Sequence, residues 1–315
     1  MKQPLLAVAC ALMALGLGAQ RTIHVSPEGS GNGSSWQLAT NLHAALAEAS
    51  LDDVLWLRSG TYLTSASDDR NEAFEVPPGI QILGGFSGSE QAASRRDPVR
   101  QPTILTGEIG TPDAHDNAYT ILLLRGDHSA TTIDGITIQR AYANGAGGPG
   151  EATRAGGGVL VHADRPGTSS TPSFVNCTFA ENYARDGGAV YIDGRAALAS
   201  PSFIACTFRQ NEADLDGGAV YNDARRHGLV APSFTDCQFT GNTANYGGAV
   251  FNQATKGEVQ ARFVDCTFGG NHAYVRGVSL YSIDHQGKSE ATLLHCAFDD
   301  VETGTAQSST LARQD

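Results

Sequence analysis

Three aspartates and four aromatic residues are the positions at which this sequence could do chemistry. Asp186 and Asp216 each stand immediately before a Gly-Gly pair, one repeat apart, and Asp214 lies beside the second. Carboxylates and carbonyls stacked on successive turns of a chain supply the oxygen ligands that Ca²⁺ takes, so these three are the candidate metal ligands; the plainer role is turn formation ahead of the glycines. Tyr191, Tyr221, Phe251 and Tyr281 follow the glycine phrases at a constant offset. If they face outward, they form a ladder of rings on which sugar rings can stack, and they are the candidate carbohydrate-binding residues. If the parity is reversed, or loops lie over them, they are core. Nothing in the sequence requires a cofactor, and Ca²⁺ is the one ion it suggests.

The elements that must position these residues come from a repeat. Cysteines 177, 206, 237, 266 and 296 recur at intervals of 29, 31, 29 and 30 residues. Each sits in one phrase: Pro172-Ser-Phe-Val-Asn-Cys-Thr-Phe179 returns as Pro201-Ser-Phe-Ile-Ala-Cys-Thr-Phe208 and Pro232-Ser-Phe-Thr-Asp-Cys-Gln-Phe239, then more loosely around Cys266 and Cys296. Between them runs a second phrase, Gly187-Gly-Ala-Val-Tyr191, Gly217-Gly-Ala-Val-Tyr221 and Gly247-Gly-Ala-Val-Phe251. Each unit holds short β-rich runs bounded by Gly, Asn and Pro, with no helical period. Such a unit cannot bury its own apolar face, whereas stacking the units in register makes a continuous core. The expected architecture is an all-β solenoid.

Several columns follow from that stacking. Phe174 and Cys177 differ by three positions, so strict alternation cannot turn both inward, and a corner or bulge is expected between them. In-register cysteines present parallel Cβ vectors, which favours a buried free-thiol column over disulfides. Asn182, Asn211, Asn242 and Asn271 should form an internal amide ladder or turn column. Asp193 reads as a surface residue. Upstream, Leu42, Ala45, Leu46 and Ala49 recur at helical spacing after Thr40, which predicts one short helix capping the first turn. Strands are expected within 22–25, 54–57, 79–83, 103–105, 119–124 and 132–138, and a Gly-rich loop over 140–156. Gly145-Ala-Gly-Gly-Pro-Gly150 matches the dinucleotide fingerprint in letters, but no helix can start after it, so it is rejected.

Lys2, the apolar run Leu5 to Leu17 and the small residues up to Ala19 predict a secretory signal peptide over residues 1–19. No later stretch is long and apolar enough to span a bilayer as a helix. The reading is then a single domain over 20–300 and a disordered polar tail over 301–315, secreted or held at the cell surface. A formal charge of −12, from 33 acidic and 21 basic residues, disfavours nucleic acid as a partner.

The tetrads Phe179-Ala-Glu-Asn182, Phe208-Arg-Gln-Asn211, Phe239-Thr-Gly-Asn242 and Phe268-Gly-Gly-Asn271, alternating with the Gly-Gly-Ala phrases, resemble the repeats of chlamydial polymorphic outer membrane proteins and related secreted bacterial β-helix proteins. The resemblance covers about 155–300; His24-Val-Ser-Pro, Gly60-Thr-Tyr62 and Gly84-Gly-Phe-Ser-Gly88 look like the start of the same group. It departs from the pattern at Phe298-Asp-Asp-Val301 and at Arg276-Gly277. The resemblance implies a right-handed parallel β-helix of the pectate-lyase-like class, which includes surface adhesins and polysaccharide-active enzymes. Lyases of that class are expected to use Ca²⁺-binding carboxylates with an Arg or Lys base. Arg96-Asp-Pro-Val-Arg100 half-resembles their Arg-x-Pro-x-x-Arg signature, and Ser282-Ile-Asp-His285 echoes another lyase phrase. Asp68-Asp69 and Asp299-Asp300 are the carboxylate pairs that a hydrolase of the class could use. No compact set of carboxylates with Arg or Lys is legible, so the expected role is non-catalytic binding of a polysaccharide or surface glycan, with a polysaccharide lyase or hydrolase as the alternative.

Overall fold

The computed structural model describes residues 20–163, 165–299 and 311–314. They form a parallel β-solenoid of about 9 turns with one α-helix near its start. Its walls are sheets of 13, 8, 5 and 7 strands. One turn shows the plan. Ser202–Ile204 lies in the 13-stranded sheet, Thr207–Arg209 in the 8-stranded, Glu212–Asp216 in the 5-stranded and Val220–Asp223 in the 7-stranded. Each pairs in register with its counterparts a repeat away, as Phe203 does with Phe174 and Phe234.

The corners are left-handed residues stacked in columns. Asn176, Ala205, Asp236, Asp265 and His295 all have φ between 51° and 54°. This is the expected corner between the two apolar columns, and it lets Phe174 and Cys177 both point inward. At the glycine phrases φ is positive again, 65° at Gly187 and 67° at Gly217. The second glycine of each pair serves close approach: a Cβ on Gly188 would come within 2.3 Å of the Gly218 carbonyl oxygen.

Inside, Phe174, Phe203, Phe234 and Phe263 stack at 5.1, 4.9 and 4.8 Å between ring centroids. Phe179, Phe208, Phe239, Phe268 and Phe298 form a second stack at 4.7 to 4.8 Å. The five cysteines are free thiols. Cys206 Sγ donates to the Phe174 and Ile204 carbonyls, both at 3.4 Å, and Cys177 and Cys237 repeat the pattern. The asparagine column is an amide ladder. Asn182 Nδ2 donates to Asn211 Oδ1 at 3.1 Å and to the Ile138 carbonyl at 3.0 Å, and Asn211 and Asn242 do the same one turn on.

The helix is Leu42–Glu48, with Leu42, Ala45 and Leu46 buried; Asn41 caps it, its side chain accepting from the Ala44 N–H at 2.9 Å. The run 132–138 is two strands, Thr132–Asp134 and Ile136–Gln139, separated by Gly135 at φ 74°. Within 140–156, Tyr142–Ala143 is a strand that opens the 5-stranded sheet. The signal peptide expected over 1–19 lies outside the described residues. So does most of the expected tail, in which Leu311–Gln314 is strand rather than coil, parallel to the segment Ala291–Leu294.

Candidate functional site

Alternation places the glycine-phrase columns as expected. Val190, Val220 and Val250 belong to the main core, and Tyr191, Tyr221, Phe251 and Tyr281 point out of the tube. Pointing out of the tube does not put them in water. Their exposures are 0%, 4%, 1% and 6%, and they form a second apolar cluster with Leu123, Ala155 and Leu160. The rings also cover one another: Tyr191 and Tyr221 stack at 4.8 Å and 6°, and Tyr221 and Phe251 at 5.0 Å. A column repeating at the rung spacing presses the faces of Tyr191, Tyr221 and Phe251 together, and Tyr281 follows tilted at 33°. The expectation that these four present a sugar-binding ladder is therefore corrected.

Part of the cover is the loop after Ala143, which brings Ala155 into the cluster and is tied down where Thr120 Oγ1 donates to the Ala152 carbonyl at 2.7 Å. Beside the rings runs a buried ionic column. Asp193 lies 2.9 Å from His162 Nδ1 and accepts from Arg195 Nε and Nη2 at 2.8 and 2.5 Å. One turn on, Asp223 accepts from Arg225 Nε and Nη2 at 2.8 and 2.7 Å and from the Tyr191 hydroxyl at 2.6 Å. Burial pushes the Asp193 carboxyl up, but hydrogen bonds from His162 and Arg195 outweigh it and bring it down to about 2. Asp193 is 1% exposed, so its reading as a surface residue is also corrected. The recurring phrases Asp193-Gly-Arg195 and Asp223-Ala-Arg225 were the available signal.

The three candidate calcium ligands part company. Asp186 and Asp216 are partners in register, but the strand Glu212–Asp216 carries a bulge between Ala213 and Asp216, and Asp214 is exposed. Asp186 is buried and pairs with Arg154 at 3.2 Å. Burial pushes Asp216 up to about 7, with the charge of Asp186 adding to it. Among the described residues, no group of three His, Cys, Asp or Glu side chains could hold a metal ion. Asp186, Asp214 and Asp216 thus form no calcium cage: a guanidinium already holds the first, and the third is poorly ionised. What these two turns do assemble is a pair of carboxylates, Asp186 and Asp216, with Arg154 bound to the first and the charge of Arg225 acting on both, an arrangement that was not legible in the sequence.

The open aromatic surface lies on the 5-stranded sheet. Tyr142 and Tyr183, both half-buried, stack at 4.2 Å and 14° on adjacent turns. His115 lies 4.8 Å from Tyr142, while the residue in register beyond Tyr183 is Glu212, so that ring keeps one face without an aromatic neighbour. Tyr183 is hydrogen-bonded to Asp214, and burial with that bond pushes its phenol up. Arg70 lies 4.0 Å over the Tyr119 ring and donates to the Tyr142 carbonyl and to Asn144 Oδ1, both at 2.8 Å. The loop insertion separates Tyr142 from Tyr183 by more than the 29 to 31 residues of the repeat, which hid the pair. The enzyme-like phrases do not converge: Arg96 pairs with Asp134 at 2.5 Å, Arg100 faces Asp97, and Ser282 is buried beside Asn252.

Comparison with known proteins agrees with the architecture. The Chlamydia polymorphic membrane protein repeat matches residues 236–253, which include the Phe239 tetrad and the Gly247 phrase. No curated protein matches the chain. Among solved structures, the pectate lyase Pel9A superposes with a TM-score of 0.58 at 15% identity, over 89% of this chain and 64% of that one. A pectin methylesterase in complex with a hexasaccharide gives 0.49 at 11%, over 89% and 80%. A polygalacturonase from Erwinia carotovora ssp. carotovora gives 0.42 at 9%, over 94% and 97%. The chain is a parallel β-helix with a pectate-lyase-like fold and a Chlamydia-type repeat. It spans less than two-thirds of the pectate lyase's length, and at such identities the likeness is one of fold alone.

Proposed function

We propose that this β-helix is a secreted or cell-surface protein that binds a polysaccharide or surface glycan without turning it over, along the strip formed by Tyr142, Tyr183, Arg70 and Asp214. The observation that carries the reading is the half-exposed tyrosine pair with one ring face unstacked, flanked by hydrogen-bonding groups. A pyranose sets its C–H face on such a ring and its hydroxyls on the polar neighbours. A chain of formal charge −12 favours a neutral or basic glycan. The surface repeat and the pectate lyase fold support the same direction. The test is a glycan array run with wild type and Tyr183→Ala. Binding should be saturable and should fall on substitution; equal binding by the two proteins would move the site elsewhere.

One observation favours a second reading, a polysaccharide-cleaving enzyme. Asp216, pushed up to about 7 by burial and by the charge of Asp186 one turn before it, is a carboxyl that can give up a proton at neutral pH. Release of reducing ends or unsaturated uronides from neutral polysaccharides or pectate, lost in Asp216→Asn, would favour it over binding alone.

A further inference from the structure

We propose that the groove between Trp36 and Trp56, on the first turns of the solenoid, is a separate saccharide-binding site selective for an uncharged pyranose. It goes beyond the reading above, because it lies on another wall. Trp56 belongs to the strand Val54–Arg58 of the 13-stranded sheet, and Trp36 to the short 3-10 turn Trp36–Leu38 that packs over it. The groove encloses about 450 Å³, within the range of small-ligand clefts.

The two indoles make a platform anchored from below. Trp56 stacks on buried Phe86 at 4.7 Å and 11°. Trp36 is tilted 38° to Trp56 at 6.3 Å, and His24 meets both edge-on. Trp36 Nε1 donates to the Glu90 carbonyl at 3.0 Å, which fixes the ring. Both indoles are only half-buried although their neighbours Val54 and Phe86 are fully so. Large aromatic surface left open at a concave site is the usual mark of a ligand contact. Tyr191 and Tyr221 lie face on face at 4.8 Å and 6°; Trp36 and Trp56 are farther apart, at 6.3 Å, and inclined by 38°, a wedge rather than a closed stack.

The rim supplies the polar half. Ser34, Ser89 and Gln91 are exposed at the groove and can reach sugar hydroxyls. Glu90 is held by the N–H groups of Ser87, Gly88 and Ser89 at 2.8, 3.1 and 3.0 Å. Burial opposes its charge, but those bonds outweigh it and hold the carboxyl at about 2, so it is anionic at neutral pH. Among the described residues that line the groove there is no Lys or Arg. The groove therefore carries no positive excess for a uronate or sulfate, and a neutral sugar fits its chemistry best.

The chain has two tryptophans, and both line this groove, so tryptophan fluorescence reports the site directly. Wild type is titrated with cellohexaose, xylohexaose and mannohexaose, with hexagalacturonate as the charged comparison. A saturable spectral shift with at least one neutral hexasaccharide, weakened about tenfold in Trp36→Ala at an unchanged unfolding midpoint, is expected. If Trp36→Ala fails to fold, Trp36→Leu, which keeps apolar bulk over Phe86 but removes the ring face, serves in its place and should weaken binding by a similar factor. No shift with any neutral sugar, or a stronger response to hexagalacturonate, overturns the proposal. The two sites fail separately: a protein that binds on the array through Tyr183 without a tryptophan response sinks the groove alone, and a tryptophan response unaffected by Tyr183→Ala leaves the groove standing if the strip fails.

Discussion

The Tyr191 hydroxyl donates a 2.6 Å hydrogen bond to Asp223 one turn further on, so the outer aromatic column is fastened to the ionic column beside it. Both residues are fully buried. Tyr191→Phe should cost about 1–3 kcal/mol, because it leaves a charged acceptor one bond short. Asp223→Ala should cost more, about 3–5 kcal/mol, since Arg225 loses its carboxylate. Urea denaturation of the two variants checks the order; equal midpoints for Asp223→Ala and wild type would remove the column from the account of stability.

Phe208 sits between Phe179 and Phe239 in the inner stack and is fully buried. Phe208→Ala should destabilise by about 3–5 kcal/mol, whereas Asp69→Ala, on an exposed loop, should stay within about 0.5. An unchanged midpoint for Phe208→Ala would contradict the inner stack.

Thiol labelling should separate the cysteines by exposure. Burial pushes the Cys206 thiol well up, and Cys177, Cys237 and Cys266 are buried with it. These four should react with a maleimide only after unfolding, while the partly exposed Cys296 reacts in the native protein. Mass spectrometry of the labelled native chain from residue 20 onward, which leaves out Cys10, should show one adduct; two stoichiometric disulfides would reverse the assignment.

Stability should respond to pH in two directions. Asp216 is raised in the fold from 3.8 to about 7, so its contribution is complete below 3.8 and is lost as the pH climbs through about 7. Asp193 is lowered from 3.8 to about 2, so its contribution is complete above 3.8 and is lost as the pH falls through about 2. Asp216→Asn should flatten the decline between about pH 4 and 8, and Asp193→Asn the one at acid pH. Thermal midpoints from about pH 2 to about pH 8 test both; a decline above about pH 5 that persists in Asp216→Asn would assign it to other groups.

The inner stacks, the corner after Val175 and the asparagine ladder were legible because a repeat shows any position that must match itself one turn away. Coverage was not. Period-2 alternation says that Tyr191 leaves the tube, but the loop that covers it and the ion pairs beside it come from other parts of the chain. Asp193 was misread for the same reason, since its partners His162 and Arg195 meet it only when the turns stack. Tyr142 and Tyr183 escaped because an insertion broke the period that would have aligned them. The Trp36 groove escaped because it lies upstream of the cysteine repeats, where no periodicity marks which side chains share a surface.

Because each turn pairs with its neighbours in the stack, load applied along the chain meets the solenoid one layer at a time. Pulled from the C-terminal side in an optical trap, the repeat region should unravel in near-equal steps rather than in one rupture. Each step releases the 29 to 31 residues between successive cysteines, or about 100 Å of extended chain. The tyrosine–aspartate fastening between the turns of Tyr191 and Asp223 should appear in such a trace as the layer that holds to a higher force than those beyond it.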